Sequence, residues 1–155
     1  MQLRPLLAKL DTVAAYLQSP LLLVIRLYWG VACAQTGWGK LTHLERTTGF
    51  FESLNIPAPK LNAIMAGGTE CLGGVLLALG LFARPASIPL IFVMLVAYWT
   101  ADHDALVAIT SDPDKFVTAA PFLFLLAWLI VLAFGPGKLS LDALLNRKAA
   151  AAPSS

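Results

Sequence analysis

The sequence predicts an all-α membrane protein, a bundle of four transmembrane helices with an amphipathic interfacial helix at its N-terminus. The chain is 58% hydrophobic and only 13% charged, with a mean hydropathy of +0.74, whereas soluble domains carry about 25% charged residues. In addition, four stretches approach the roughly 20 apolar residues that are needed to cross a bilayer. Four such stretches in 155 residues leave no polar shell to cover them in water.

The four predicted spans are separated by residues that end helices. The spans cover residues 21–38, 62–82, 86–101 and 117–134. The breaks between and after them are Pro57 and Pro59, Arg84-Pro85, Asp112-Pro113-Asp114, and Gly135-Pro136-Gly137.

Residues 1–19 are predicted to form an amphipathic helix on the membrane surface. Their leucines recur at helical spacing, opposite Arg4, Lys9 and Asp11. The predicted organisation is therefore this segment, a four-span membrane domain over residues 20–136 and a cytoplasmic C-terminal tail over residues 137–155. A weaker amphipathic pattern covers residues 43–54.

The distribution of Lys and Arg predicts the orientation in the membrane. Four spans place both termini on one side, and that side holds six Lys and Arg residues against four on the other. Because cytoplasmic loops carry an excess of positive charge, both termini are predicted to be cytoplasmic.

Several classes of function have no support in the sequence. The net charge of +2 and the lack of a basic run argue against a nucleic-acid binder. No HxxxH or CxxC spacing is present, so no metal site is predicted. Cys33 and Cys71 lie in different predicted spans and are expected to be reduced.

Two charged residues fall inside the predicted spans, Arg26 in the first and Glu70 in the second. An intramembrane charge is costly unless it is paired, which makes both residues candidates for a functional site. Their predicted depths differ by about 10 Å, so an Arg26–Glu70 ion pair is the first hypothesis. A water-filled pocket, or an Arg26 side chain that reaches the cytoplasmic interface, are the alternatives. The pair would either only fasten the two spans together or also do chemistry, and both interpretations stay open.

Gln35 is the third candidate for a buried polar site, on the face of its helix opposite Arg26. Further candidates are expected at the outer rim of the bundle, and these are Lys40, His43, Tyr98, Asp102 and His103. Small residues share a face with Arg26 on the first span and with Glu70 on the second, which predicts close packing of these two helices.

Four motifs, taken in order, resemble the DoxX family of bacterial membrane proteins. They are RLYWGVACAQTGWGKL from Arg26, FFESLNIPAP from Phe50, GGTECLGGVLLALGLFARPAS from Gly67 and GPGKLSLD from Gly135. The resemblance implies a four-helix bundle in the inner membrane of a bacterium. The family's motif positions in this chain are Arg26, Gly30, Gly37, Lys40, Glu70, Gly73, Gly74, Arg84, Gly135, Gly137, Ser140 and Asp142.

The DoxX family takes its name from a subunit of thiosulfate:quinone oxidoreductase. The resemblance therefore implies a membrane subunit or accessory of a redox system, with quinone as the candidate cofactor and a redox protein as the candidate partner in the bilayer. The chain carries no recognisable flavin, haem or iron–sulfur motif, so a subunit is favoured over a stand-alone enzyme, and no catalytic residue is assigned. The alternatives are a transporter or channel, which requires a homo-oligomer or a narrow polar cleft, and an anchor that recruits a soluble enzyme.

Overall fold

The computed structural model describes residues 3–151, and within this range it consists of helices and connecting turns without a strand. The predicted all-α class is confirmed. The helices are α1 (Leu3–Thr42), α2 (Leu44–Ser53), α3 (Pro59–Leu79), α4 (Ala83–Thr100), α5 (His103–Val107), α6 (Pro113–Thr118), α7 (Pro121–Phe134) and α8 (Leu141–Ala151).

Four of these helices form the bundle. α1 packs along α3, α4 packs along α7, and α3 lies beside α4, while a smaller contact between α1 and α7 completes the arrangement. α1, α3 and α4 are long and apolar enough to cross a bilayer, and α7 is a shorter apolar helix of 14 residues. The largest buried side chains of the apolar core are Cys33, Leu77, Leu90, Met94, Trp128 and Val131.

Glycines set the close packing of α1 against α3, as the small residues on their faces predict. Gly30 lies against Gly74, where a Cβ added to Gly74 would stand 2.6 Å from the Gly30 carbonyl oxygen. Gly37 lies against Gly67 and Cys71 in the same way. Because residue numbers rise along one helix as they fall along the other, the two helices are antiparallel, and their register fixes which residues share a depth.

α1 is a single helix of 40 residues that continues through Pro20. The side chains that the structure describes before Ser19 are all exposed, and Leu10, Tyr16 and Leu17 are more than half exposed. The assignment of residues 1–19 to the membrane surface stays a prediction, and Met1 and Gln2 lie outside the described residues.

The connections differ in detail from the predicted spans. The fourth span begins at Pro121 rather than at residue 117, because α6 ends at Thr118 and Ala119 is extended. Arg84 lies in the first turn of α4 and not between helices, since the turn itself is formed by Gly80–Phe82. α2 corresponds to the predicted amphipathic segment at residues 43–54.

Candidate functional site

The fully buried Arg26 side chain contacts backbone carbonyls rather than Glu70. Its Nη1 donates to the carbonyl oxygens of Leu77 and Ala78 at 3.1 and 3.2 Å, and its Nη2 donates to that of Leu139 at 2.7 Å. The Leu77 and Ala78 carbonyls belong to the last turn of α3, where no further turn of helix follows and the Leu77 carbonyl also accepts from the Gly80 N–H at 3.0 Å. Arg26 therefore closes the end of α3 and ties it to the segment before α8.

The predicted Arg26–Glu70 ion pair is wrong because the two residues lie at different depths. In the observed register Arg26 is beside Gly80, which is ten residues from Glu70 along the chain. At about 1.5 Å per residue, this separates the two charges by about 15 Å along the bundle. Lys40 forms the ion pair with Glu70 instead.

A second charged residue completes the arrangement around Arg26. The Asp142 carboxylate accepts hydrogen bonds from the backbone N–H groups of Phe82 at 2.8 Å and Ala83 at 3.1 Å, at the start of α4. A carboxylate is well placed at a helix N-terminus, where N–H groups lack partners and the helix dipole is positive. Ser140 similarly accepts from Ala143 N–H at 3.2 Å at the start of α8. We refer to Arg26, Ser140, Asp142 and the turn Gly80–Phe82 as the Arg26 cluster.

Gly80 leaves the space that the guanidinium of Arg26 occupies. Its φ is +67°, and a Cβ there would overlap Arg26 Nη1 and stand 2.6 Å from the Ser140 Cβ. A similar contact is made by Arg84, whose guanidinium donates to the Leu132 and Ala133 carbonyls at 3.2 and 3.3 Å at the end of α7. The C-terminal motif GPGKLSLD is thus connected to the turn after α3 by two sets of hydrogen bonds, those of Asp142 with the start of α4 and those of Arg26 with Leu139 and the end of α3.

Glu70 belongs to a different cluster, near the middle of α3. Its side chain is 3% exposed, and its Oε2 forms an ion pair with Lys40. The Thr36 hydroxyl donates its one proton to the Cys33 carbonyl at 2.8 Å, and its oxygen lies 3.4 Å from the same Glu70 oxygen. Glu70, Lys40 and Thr36 are called the Glu70 cluster below.

The depth of the Glu70 cluster follows from the length of α3. The helix has 21 residues, which corresponds to about 31 Å, close to the thickness of the hydrocarbon core. Glu70 lies near the midpoint of this length. Lys40 is in the last turn of α1, and 31% of its side chain is exposed, so it extends from near the end of the bundle towards the carboxylate.

The remaining candidates do not join either cluster. Gln35 is exposed on α1 and is not a buried polar residue. Tyr98 lies two residues before the end of α4, and its side chain is only 1% exposed there, since its hydroxyl donates to the Phe116 carbonyl at 2.8 Å and its ring stacks on Phe116.

The other rim candidates line two separate surface clefts. His43 lies in a cleft of about 760 Å³ along α2, and Asp102 and His103 lie in a cleft of about 340 Å³ beside α5 and α6. Lys40 lines neither cleft and reaches inward instead. Within residues 3–151, no group of three or more His, Cys, Asp or Glu side chains is arranged to hold a metal ion.

Thr36 is a site residue that the sequence reasoning missed. The available signal was its spacing, since Thr36 and Lys40 are four residues apart and therefore share one face of α1. The candidate functional site is accordingly Glu70 with Lys40 and Thr36, while Arg26 fastens helix ends.

Comparison with known proteins finds one family model and named relatives. The DoxX family model matches residues 21–103. The inner membrane protein YphA of Escherichia coli K12 is 31% identical over 128 residues, which cover 79% of this chain and 88% of that protein. The uncharacterized membrane protein Rv3486 of Mycobacterium tuberculosis is 31% identical over 144 residues, which cover 85% of each chain. No solved structure matches the chain.

Proposed function

The chain belongs to the DoxX family of membrane proteins, and we propose that it is a membrane subunit or accessory of a quinone-linked redox system. The observation that supports this function is the Glu70 cluster. It places a titratable carboxylate near the centre of the bilayer, where a charge is costly and is usually retained for function. It also surrounds that carboxylate with side chains, whose positions can change, rather than with fixed backbone groups.

The Glu70 cluster has the properties of a proton relay. Lys40 and Thr36 both contact the Glu70 carboxylate, and both are partly or largely exposed whereas Glu70 is not. Lys40 leads towards the end of the bundle near α2, and Thr36 leads to the surface of α1 near the bilayer centre. In the proposed relay, Glu70 takes up a proton from the Lys40 side and releases it on the Thr36 side.

A quinone fits the chemistry on the Thr36 side. Reduction of a quinone to a quinol consumes equal numbers of electrons and protons, and the lipid-soluble ring diffuses at the depth where Thr36 is exposed. The Thr36 hydroxyl can rotate from its hydrogen bond with the Cys33 carbonyl to donate to a quinone carbonyl oxygen, and a Glu70 carboxylate oxygen lies 3.4 Å from that hydroxyl. In this proposal the electrons come from a redox partner protein, and this chain supplies the position and the proton.

The proposed location is the inner membrane of a bacterium, with both termini in the cytoplasm. The support is the excess of Lys and Arg at the end of the bundle that holds Arg84, Lys138 and Arg147. The relay would then open through Lys40 towards the periplasmic side. Residues 1–19 would lie along the cytoplasmic surface, where Arg4 and Lys9 meet lipid headgroups.

The experiment compares Glu70→Gln with Glu52→Gln, a carboxylate on the exposed surface of α2. Glutamine keeps the shape of the side chain but cannot carry a proton. We expect Glu70→Gln to slow reduction of the quinone pool in cells by about tenfold or more, and Glu52→Gln to leave it unchanged. Purification in native lipid is expected to retain quinone with the wild-type chain. The proposal fails if the purified wild-type chain retains no quinone and cells with Glu70→Gln reduce the quinone pool at the wild-type rate. The Glu70→Gln, Glu52→Gln and wild-type chains must be present in equal amounts in the membrane.

A further inference from the structure

One face of α1 carries a continuous stripe of exposed side chains. The stripe lies on the side of α1 away from the glycines that contact α3. Its members are separated alternately by three and four residues, which is the spacing of the a and d positions in a coiled coil. They are Leu21, Val24, Tyr28, Val31, Gln35, Trp38 and Thr42.

Gln35 places a polar amide on a surface that faces lipid. Ala34 contacts Gly74, and Gly37 contacts Cys71, so Gln35 lies at nearly the same depth as Glu70, near the bilayer centre. Of the polar side chains near Gln35 on α1, Thr36 and Lys40 form hydrogen bonds inside the bundle. Among residues 21–42 of α1 and the described residues of α3, α4 and α7, Gln35 is the only exposed amide or charged residue away from the helix ends. Hydrocarbon offers its amide no hydrogen bond, which points to a protein partner at this position.

We propose that a second copy of this chain packs on the stripe, so that the protein is a dimer through a parallel pair of α1 helices. Two copies that insert with the same orientation are related by a two-fold axis along the membrane normal. In such a pair each a or d residue faces the same residue of the other copy. Gln35 then meets Gln35 of the second copy. An amide carries both a donor and an acceptor, so it is its own complement.

The surroundings of Gln35 allow the close approach that membrane helices need. Gly39 is four residues further along α1, and nothing lies within 4 Å of the position that its Cβ would occupy. Small residues of this kind let two helix backbones come close in a membrane. The proposed interface shares helix α1 with the Glu70 cluster but none of the residues of that cluster. The dimer proposal is therefore independent of the proposed redox function.

The first experiment is disulfide cross-linking in membranes. Val31→Cys is compared with Val75→Cys in a chain that also carries Cys33→Ala and Cys71→Ala. Val75 is the matched control, because it is an exposed valine at about the same depth but on α3, away from the stripe. We expect Val31→Cys to give a cross-linked dimer and Val75→Cys to remain monomeric. Equal cross-linking at both positions, or cross-linking of Val31→Cys to a different protein, would overturn the proposal.

The second experiment leaves the native cysteines in place and measures dimerisation by energy transfer between labelled chains at increasing dilution in lipid. Gln35→Leu removes the amide but keeps the side chain's size, and we expect it to raise the dimer Kd about three- to thirtyfold. Gln35→Asn keeps an amide and is expected to retain more of the affinity. Since Gln35 is exposed in the bundle, the melting temperature of the monomer should not change. A Gln35→Leu chain that dimerises as tightly as wild type would contradict the proposal.

Discussion

The Arg26 cluster and the Glu70 cluster each hold a charge inside the bundle, but the groups that hold the two charges differ. Arg26 donates to three backbone carbonyls, which cannot change their protonation and can move only with the helices. Glu70 contacts the side chains of Lys40 and Thr36, which can change rotamer independently of the backbone. Burial of a charge is therefore a weak indication of function by itself, and the chemical identity of its partners is more informative.

The difference between the clusters has a simple origin in their positions along the helices. Arg26 lies beside the last turn of α3, where carbonyl groups lack the N–H groups of a following turn and can accept from a side chain, and where the Leu77 carbonyl accepts from both Arg26 and the Gly80 N–H. Glu70 lies near the middle of α3, where each backbone group is already hydrogen-bonded within the helix. Backbone N–H groups are therefore already used at that depth, and only side chains remain available to donate to the Glu70 carboxylate. A buried charge at the end of a helix can thus be held by backbone groups, whereas a buried charge at its middle is held by side chains that can change rotamer.

The largest effect is expected from Arg26→Leu. The substitution removes the Arg26 donor from the Ala78 and Leu139 carbonyl oxygens, and leaves the Leu77 carbonyl with the Gly80 N–H alone. Each buried carbonyl that loses its donor costs about 1–3 kcal/mol. We expect the free energy of unfolding to fall by about 3 kcal/mol or more, which denaturation of the purified protein in detergent would measure. The matched control is Arg84→Leu, which also removes a guanidinium from helix C-terminal carbonyls but at an exposed site where water replaces it. Equal losses in the two variants would contradict a specific structural role for Arg26.

The fold was predictable because it depends on local composition. Apolar runs of membrane length, interrupted by proline and glycine, identify the helices without knowledge of their contacts. The close packing of α1 and α3 was also predictable, since Gly30, Gly37, Gly67 and Gly74 share two faces. These features depend on the spacing of residues along one helix at a time.

The partners of the two charges were not predictable in the same way. They depend on the register of α1 against α3, which no local pattern fixes. The Leu77, Ala78 and Leu139 carbonyls that accept from Arg26 carry no signal in their side chains. Lys40 was expected at the rim because the apolar run ends at Trp38, whereas α1 continues to Thr42 and directs Lys40 back towards Glu70.

An intermediate effect is expected from Gly80→Ala, which tests the packing of the Arg26 cluster without removing its charge. Alanine pays about 1–2 kcal/mol for the left-handed backbone at this position, and its Cβ also displaces the Arg26 guanidinium. The control is Gly137→Ala, which has a similar φ of +79° but whose Cβ would meet Leu22 at an ordinary 3.4 Å. We expect Gly80→Ala to lower the melting temperature by about twice as much as Gly137→Ala. If both variants melt alike, the close fit of Arg26 against Gly80 contributes no stability.

The smallest effect, and the sharpest test of the comparison, is expected from two double-mutant cycles on Glu70→Gln. Combined with Lys40→Met, the free energies of unfolding should show a coupling of about 0.5–3 kcal/mol, as for residues in direct contact. Combined with Arg26→Leu, they should add to within about 0.5 kcal/mol, because about 15 Å separates the two charges and they share no partner. A coupling between Arg26 and Glu70 as large as that between Lys40 and Glu70 would show that the two clusters act as one. Additivity would instead mean that the two clusters stabilise the bundle independently, so that a change at Glu70 leaves the contacts of Arg26 with the helix ends in place.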